Sequence, residues 1–147
     1  PVEVATHVAG TLEFVSGAVV SIAMSFDVPK HNHTPIEIYG TEGSMMVPDP
    51  NRFGGAVSIA KTGGDWTAMP HTHGNTDGEF RSIGVADLAA AIVSNRPHRA
   101  SGALALHALE AMEAFQVSSD EGRRVKLETT VERPAMLTPG LPTGQID

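Results

Sequence analysis

The chain has 147 residues, 41% hydrophobic and 18% charged, the proportions of one ordinary globular domain. Ten Lys and Arg against 17 Asp and Glu leave a formal charge of −7, which repels phosphate backbones and argues against nucleic acid as a partner; the basic cluster around Arg96 and Arg99 is too short to reverse this. Apolar runs of about ten residues fall short of the roughly 20 that a membrane span needs, no leader pattern opens the chain, and there is no Cys for disulfide or thiolate chemistry, so a cytoplasmic location is expected.

In chain order, Val8 to Val15 and Val19 to Asp27 alternate as strands around the turn residues Ser16 and Gly17. On the second strand Val20, Ile22, Met24 and Phe26 share the face expected to be core, and Val19, Ala23 and Ser25 share the other. Ile36 to Tyr39 and Ser44 to Val47 flank Gly40-Thr41-Glu42-Gly43, and Ala56 to Ala60 and Trp66 to Met69 flank Thr62-Gly63-Gly64-Asp65. Pro48 to Gly55, with two prolines and paired glycines, reads as a loop. Residues 71–82 are polar, after which the period becomes helical: Val85, Leu88, Ala89, Ile92 and Val93 form one apolar stripe that ends before Pro97. A second helix is predicted from an N-cap at Ser101 to a stop at Gly122, with Ala105, Ala108, Leu109, Met112 and Phe115 facing the sheet. Arg124 to Glu128 alternates as a last strand, and Pro134 to Asp147 reads as a tail.

Many strands, two helices and a final strand predict an α+β fold: one open antiparallel sheet of six to seven strands with two helices packed on one face. Two helices cover one face only, so the face carrying Val19, Ala23 and Ser25 is expected to meet a second copy of the chain.

The motifs that would supply independent chemistry are missing. There is no Gly-x-Gly-x-x-Gly, no Gly-x-x-x-x-Gly-Lys-Ser/Thr, no Gly-x-Ser-x-Gly and no His-Glu-x-x-His. Four of the seven histidines come as His31-Asn32-His33 and His71-Thr72-His73, a spacing that puts two imidazoles on one side of an extended strand, as a metal site needs. His33 with Glu37 and Gly43 resembles a first cupin motif, but the second lacks its Pro-x-Gly, and the Pro, Asn, Thr and Gly neighbours of both pairs favour polar loops. Asp87 is expected to complement the start of the first helix, Arg96, His98 and Arg99 its C-terminal carbonyls. His107 with Glu110 reads as a hydrogen-bonded or solvated pair, and Met45, Met46 and Met112 as core filler.

Thr11-Leu12-Glu13-Phe14 with Ser16-Gly17-Ala18, then Ile36-Glu37-Ile38-Tyr39-Gly40-Thr41-Glu42-Gly43, Pro48-Asp49-Pro50-Asn51, Gly84-Val85-Ala86-Asp87 and Arg96-Pro97-His98-Arg99-Ala100-Ser101-Gly102 form a run of pieces. In that order, and closing on Gly122-Arg123 and Glu132-Arg133-Pro134, the run resembles the C-terminal domain of the Gfo/Idh/MocA oxidoreductases, the relatives of glucose-fructose oxidoreductase and inositol dehydrogenase. The resemblance implies a domain over 1–137, a flexible tail over 138–147, and an N-terminal Rossmann half missing from this chain, which fits its start at Pro1 without Met. It implies NAD or NADP in the full-length protein and none bound here, a sugar or polyol substrate, and a homo-oligomer built through the open sheet face. The family's Glu-Lys-Pro lysine and Asp-x-x-x-His pair do not occur here, and Asp87 is followed at the fourth position by Ala91, so no catalytic residue is carried over and the chain alone is expected to be inactive. By the same resemblance the loops before Ile36 and before the first helix approach the sugar, which makes His31, Asn32, His33, His73 and Arg81 the substrate-contact candidates. The alternative is a standalone dimeric ligand- or metal-binding module that uses His31/His33 and His71/His73.

Overall fold

The computed structural model describes all 147 residues. Its elements are β1 (His7–Glu13), β2 (Val19–Ser25), β3 (Ile36–Gly40), β4 (Gly43–Val47), β5 (Ser58–Lys61), β6 (Thr67–Ala68), α1 (Ile83–Ser94) and α2 (Gly102–Glu121). The fold is α+β, but the strands form two antiparallel sheets, β1-β2 and β3-β4-β5-β6, and not the single sheet expected. Pro29 and Pro35 lie between β2 and β3 and lack the N–H that a continuing ladder would use. The chain divides into two compact units. The first comprises residues 1–31 and 102–132, the second residues 32–101 and 133–147.

In the first unit the β1-β2 hairpin turns at Gly17, whose φ of 89° is open to glycine at no steric cost. The register pairs Val8 with Met24, Gly10 with Ile22 and Leu12 with Val20, so the face read from the alternation is the face that forms. That face meets α2. Gly10 is the contact point, because a Cβ there would stand 2.7 Å from Cε1 of Phe115. One helix cannot cover the whole ribbon, and Val20, Met24 and Phe26 remain exposed where a core was expected. The side of α2 that is partly covered carries Leu104, His107, Ala111, Ala114 and Phe115. Of the predicted stripe only Phe115 is on that side, while Leu109 and Met112 face solvent. The helix ends as read, at Gly122 with φ 60° and the Arg123 N–H on the Ser118 carbonyl. Residues 124–128 do not form the expected strand. The N–H groups of Glu128 and Thr129 instead donate to the two carboxylate oxygens of Glu110, at 2.6 and 3.0 Å, so a side chain takes the place of a ladder.

In the second unit β3 to β6 form a meander in which Ile38, Met45 and Ile59 lie opposite one another on one face. Met45 and Met46 are half-buried. Loop 48–55 closes against residues 71–82: Phe53 and Phe80 meet edge to face at 5.6 Å. Gly54 lies so close to the Thr76 carbonyl that a Cβ would stand 2.2 Å from its oxygen. Helix α1 ends at Asn95 in the left-handed conformation that Asn tolerates, not on the Arg96, His98 or Arg99 side chains. Its orientation reverses the expected one. Asp87 and Ala91, one turn apart, are its buried residues, and Val85, Leu88, Ile92 and Val93 point outward, Val93 with 88% of its surface exposed. Ala91, 3% exposed, is the only buried apolar residue in the structure. The closing stretch belongs to this unit: the Gly140 N–H donates to the Thr72 carbonyl and the Gly144 N–H to the Asn75 side chain.

Candidate functional site

The polar groups of the second unit converge where α1, the loop before it and residues 133–147 meet. Asp87 is at the centre. Its Oδ1 accepts from Arg96 Nη2 at 2.8 Å and from Arg99 Nη1, and its Oδ2 accepts from the Arg99 backbone N–H at 2.7 Å. Arg99 extends the network outward, with Nη2 to Asp147 Oδ1 at 2.7 Å, Nε to the Ala135 carbonyl at 2.9 Å and Nη2 to the Met136 carbonyl at 3.2 Å. The Asp147 carbonyl also accepts from Arg96 Nη2, and its carboxylate accepts from the Thr138 hydroxyl at 2.6 Å. Asp87, placed on α1 by helical spacing, therefore binds both arginines, and complements neither end of the helix dipole.

Burial by itself would raise the pKa of Asp87. The Arg99 N–H and the guanidinium groups of Arg96 and Arg99 outweigh it and hold the carboxyl down at about 2. The Thr138 hydroxyl and then Arg99 hold Asp147 below the usual carboxylate range against the opposing effect of burial. In the first unit the Glu128 N–H and then the hydroxyl and N–H of Thr129 do the same for Glu110. Tyr39 moves the other way, raised by its hydrogen bond to the Glu37 carboxylate. A proton-transfer group works best with a pKa near the operating pH, and all four of these shifts lead away from neutrality.

Of the five contact candidates, His31, Asn32 and His33 lie on the exposed run between β2 and β3. His73 is half-buried on the loop before α1, with Nδ1 2.9 Å from the Thr72 hydroxyl and Nε2 2.9 Å from the Leu137 carbonyl. A carbonyl can only accept, so Nε2 carries the proton and Nδ1 accepts from Thr72. Arg81, on the same loop, donates from Nη2 to the Asn51 side-chain oxygen at 3.1 Å and its carbonyl at 3.3 Å, and lies 3.8 Å from Glu79, which also pairs with Arg52 at 3.3 Å. His73 thus ties the loop to Leu137 and Arg81 ties it to Asn51, and no hydrogen bond joins the two. No group of three or more His, Asp or Glu side chains is close enough together to hold a metal ion.

Sequence reasoning noted Asn75 only for its His-x-x-x-Asn spacing from His71 and missed its left-handed φ of 64° and its burial, and it missed the joint hold of Arg96 and Arg99 on Asp87. A carboxylate on a helix followed by two arginines just past the helix end was the available signal. Thr129, which links Glu110 to His107 Nδ1 at 2.8 Å, carried none.

Residues 1–46 match the GFO/IDH/MocA C-terminal domain. The match takes in β1, β2, β3 and all but the last residue of β4, and over that span it bears out the resemblance carried by Thr11 to Ala18 and Ile36 to Gly43. The GFO/IDH/MocA family is generally one of NAD(P)-dependent oxidoreductases. Comparison with curated proteins and with solved structures found no match. The residues of this chain do not fit a dinucleotide: α1 follows a loop and not a strand, and neither helix opens on the glycine-rich turn that lets a pyrophosphate reach helix N–H groups. No helix is long and apolar enough to cross a membrane.

Proposed function

We propose that the chain is the substrate-side and oligomer-forming C-terminal domain of a cytoplasmic NAD(P)-dependent sugar or polyol oxidoreductase, in which another part of the protein binds the nucleotide and carries the catalytic groups. The family match over β1 to β4 carries this reading. Two features support it. The candidate loops carry hydrogen-bond donors and acceptors in Asn32, His73 and Arg81, and the apolar side chains left outside α1, α2 and the hairpin are those that further protein would cover.

In this reading His31, Asn32 and His33 approach the hydroxyl groups of the substrate from the run before β3, and Arg81 does so from the loop before α1. His73 reaches a sugar only by giving up its bond to Thr72 or Leu137. The face carrying Val19 and Ala23, both exposed, packs against a second copy.

The test is made on the full reading frame, followed by the reduction of NAD and of NADP with a panel of sugars and polyols. Hydride transfer is expected with at least one of them, and a drop in kcat/KM of more than about twofold in His33→Ala. A full-length protein that reduces neither nucleotide with any of the panel overturns the oxidoreductase assignment. Sedimentation that gives the mass of one chain at micromolar concentration overturns the oligomer.

A further inference from the structure

The segment from Asn75 to Arg81 is tied at both ends and free in the middle. Asn75 is 8% exposed and its side chain accepts from the Gly144 N–H at 2.7 Å, while Glu79 pairs with Arg52 at 3.3 Å and Arg81 donates to Asn51 at 3.1 Å. Asp77 and Gly78, between these anchors, are exposed and take part in no hydrogen bond or ion pair. We propose that Asp77 is a site of self-modification, at which it cyclises onto the Gly78 backbone nitrogen and reopens as isoaspartate.

The chain contains one Asp-Gly pair, Asp77-Gly78, and no Asn-Gly pair. Ring closure is governed by how closely the nitrogen of the following residue approaches Cγ of the aspartate, and a side chain on that residue obstructs the approach. Glycine has no Cβ, and its backbone reaches conformations that other residues rarely adopt. The Gly78 N–H has no acceptor, so no bond is lost when the nitrogen turns towards the carboxyl. The Asp77 carboxyl likewise has no partner that holds it away. Other aspartates are placed differently: Asp49 precedes Pro50, whose nitrogen carries no hydrogen, and Asp87 is held by Arg96 and Arg99.

The reaction balances with water alone. The Gly78 nitrogen forms a bond to Asp77 Cγ and gives up its proton, and one carboxyl oxygen leaves as water, which yields a cyclic imide. Water then adds to either imide carbonyl. Breaking the new N–Cγ bond restores aspartate. Breaking the bond from nitrogen to the backbone carbonyl carbon of Asp77 leaves the chain running through Cβ and Cγ, with the α-carboxylate free. The product has the composition of the parent and an extra methylene in its backbone, inserted between Asn75 and Glu79, on the loop that also carries His73 and Arg81. The site lies wholly within the second unit and does not depend on the oxidoreductase reading.

The experiment incubates the purified chain for weeks at neutral pH and follows the Asp77 peptide by chromatography and mass spectrometry, beside a synthetic peptide of residues 73–82 kept in the same buffer. The expected product has unchanged mass, elutes apart from the parent and resists the endoprotease that cleaves before Asp; an imide lighter by one water precedes it. A loop with no bonds to break opens at close to zero cost, so the rate in the folded chain should lie within about tenfold of the rate in the peptide. Gly78→Ala adds a methyl that crowds the nitrogen and would stand 3.2 Å from the Phe80 ring, and it should slow the conversion severalfold. Asp77→Glu, which must close a larger ring, should give no product over the same period. A folded chain that keeps Asp77 intact while the peptide converts overturns the proposal. So does conversion at the parent's rate in Gly78→Ala, or equal conversion at Asp87.

Discussion

A single carboxylate does much to hold the second unit together. Asp87 faces two guanidinium groups in a largely buried setting, and removing one member of such a group leaves charge buried without compensation. Asp87→Asn is expected to destabilise the chain by about 3 kcal/mol in urea denaturation. The pH dependence follows from the direction of the shift. The folded carboxyl titrates at about 2, below its ordinary 3.8, so its contribution is fully present above the unfolded value and is lost as the pH falls towards about 2. Urea midpoints measured between neutrality and acid should therefore decline along a limb that is shallower in Asp87→Asn. The position of Asp87 on a helix was legible in the sequence, but its partners were not. Arg96 and Arg99 reach it only because the chain turns back after Asn95, and the left-handed geometry of that turn has no clear signature in a stretch where Pro97 alone would have ended the helix.

At the scale of elements, type and extent were readable and facing was not. Turn chemistry at Gly17, Gly40 to Gly43 and Gly63 located the hairpins, and the stop at Gly122 closed α2, because these are local properties of the backbone. Which side of a helix is covered depends on what else is present. Val85, Leu88, Ile92 and Val93 make an apolar stripe by period, yet α1 turns the Asp87 and Ala91 side inward, where that carboxylate meets two partly buried cations. The last strand was lost for a related reason: Glu110 satisfies the N–H groups of 128 and 129 before any strand can. Glu110→Gln should cost about 1–2 kcal/mol by weakening charge-assisted bonds, and amide hydrogen exchange at Thr129 should accelerate with it. The contact of α2 with β1 has its own test. Gly10→Ala drives a methyl into the Phe115 ring and is expected to cost about 1–3 kcal/mol, with part of the loss recovered in the double variant with Phe115→Leu.

For the whole molecule the apolar surface outside the two units' own contacts is the dominant fact. Ile92 at 72% and Val93 at 88% exposure contribute nothing to the stability of this chain, so Val93→Lys should leave its urea midpoint within about 0.5 kcal/mol of the parent while lowering the fluorescence of a bound hydrophobic dye. Composition, which showed enough apolar residues for one domain, could not show how few of them this chain would bury on its own. The candidate site divides the same way. His73 and Arg81 lie on the loop before α1 as read, whereas the burial of Asn75 follows only from the fold of residues 144–146, where the Gly144 N–H donates to its side chain.

The order of the units along the chain also has a consequence for synthesis. The hairpin that α2 covers is made first, and residues 32–101, which build most of the other unit, must all be translated before Gly102 begins the helix. At about 5–20 residues per second the nascent hairpin waits roughly 4–14 s with Val8, Leu12 and Ile22 uncovered, long compared with the microseconds in which hairpins and helices form. A ribosome-bound chain of this protein is therefore expected to recruit a hydrophobic-segment chaperone during that interval and to release it once Phe115 has emerged.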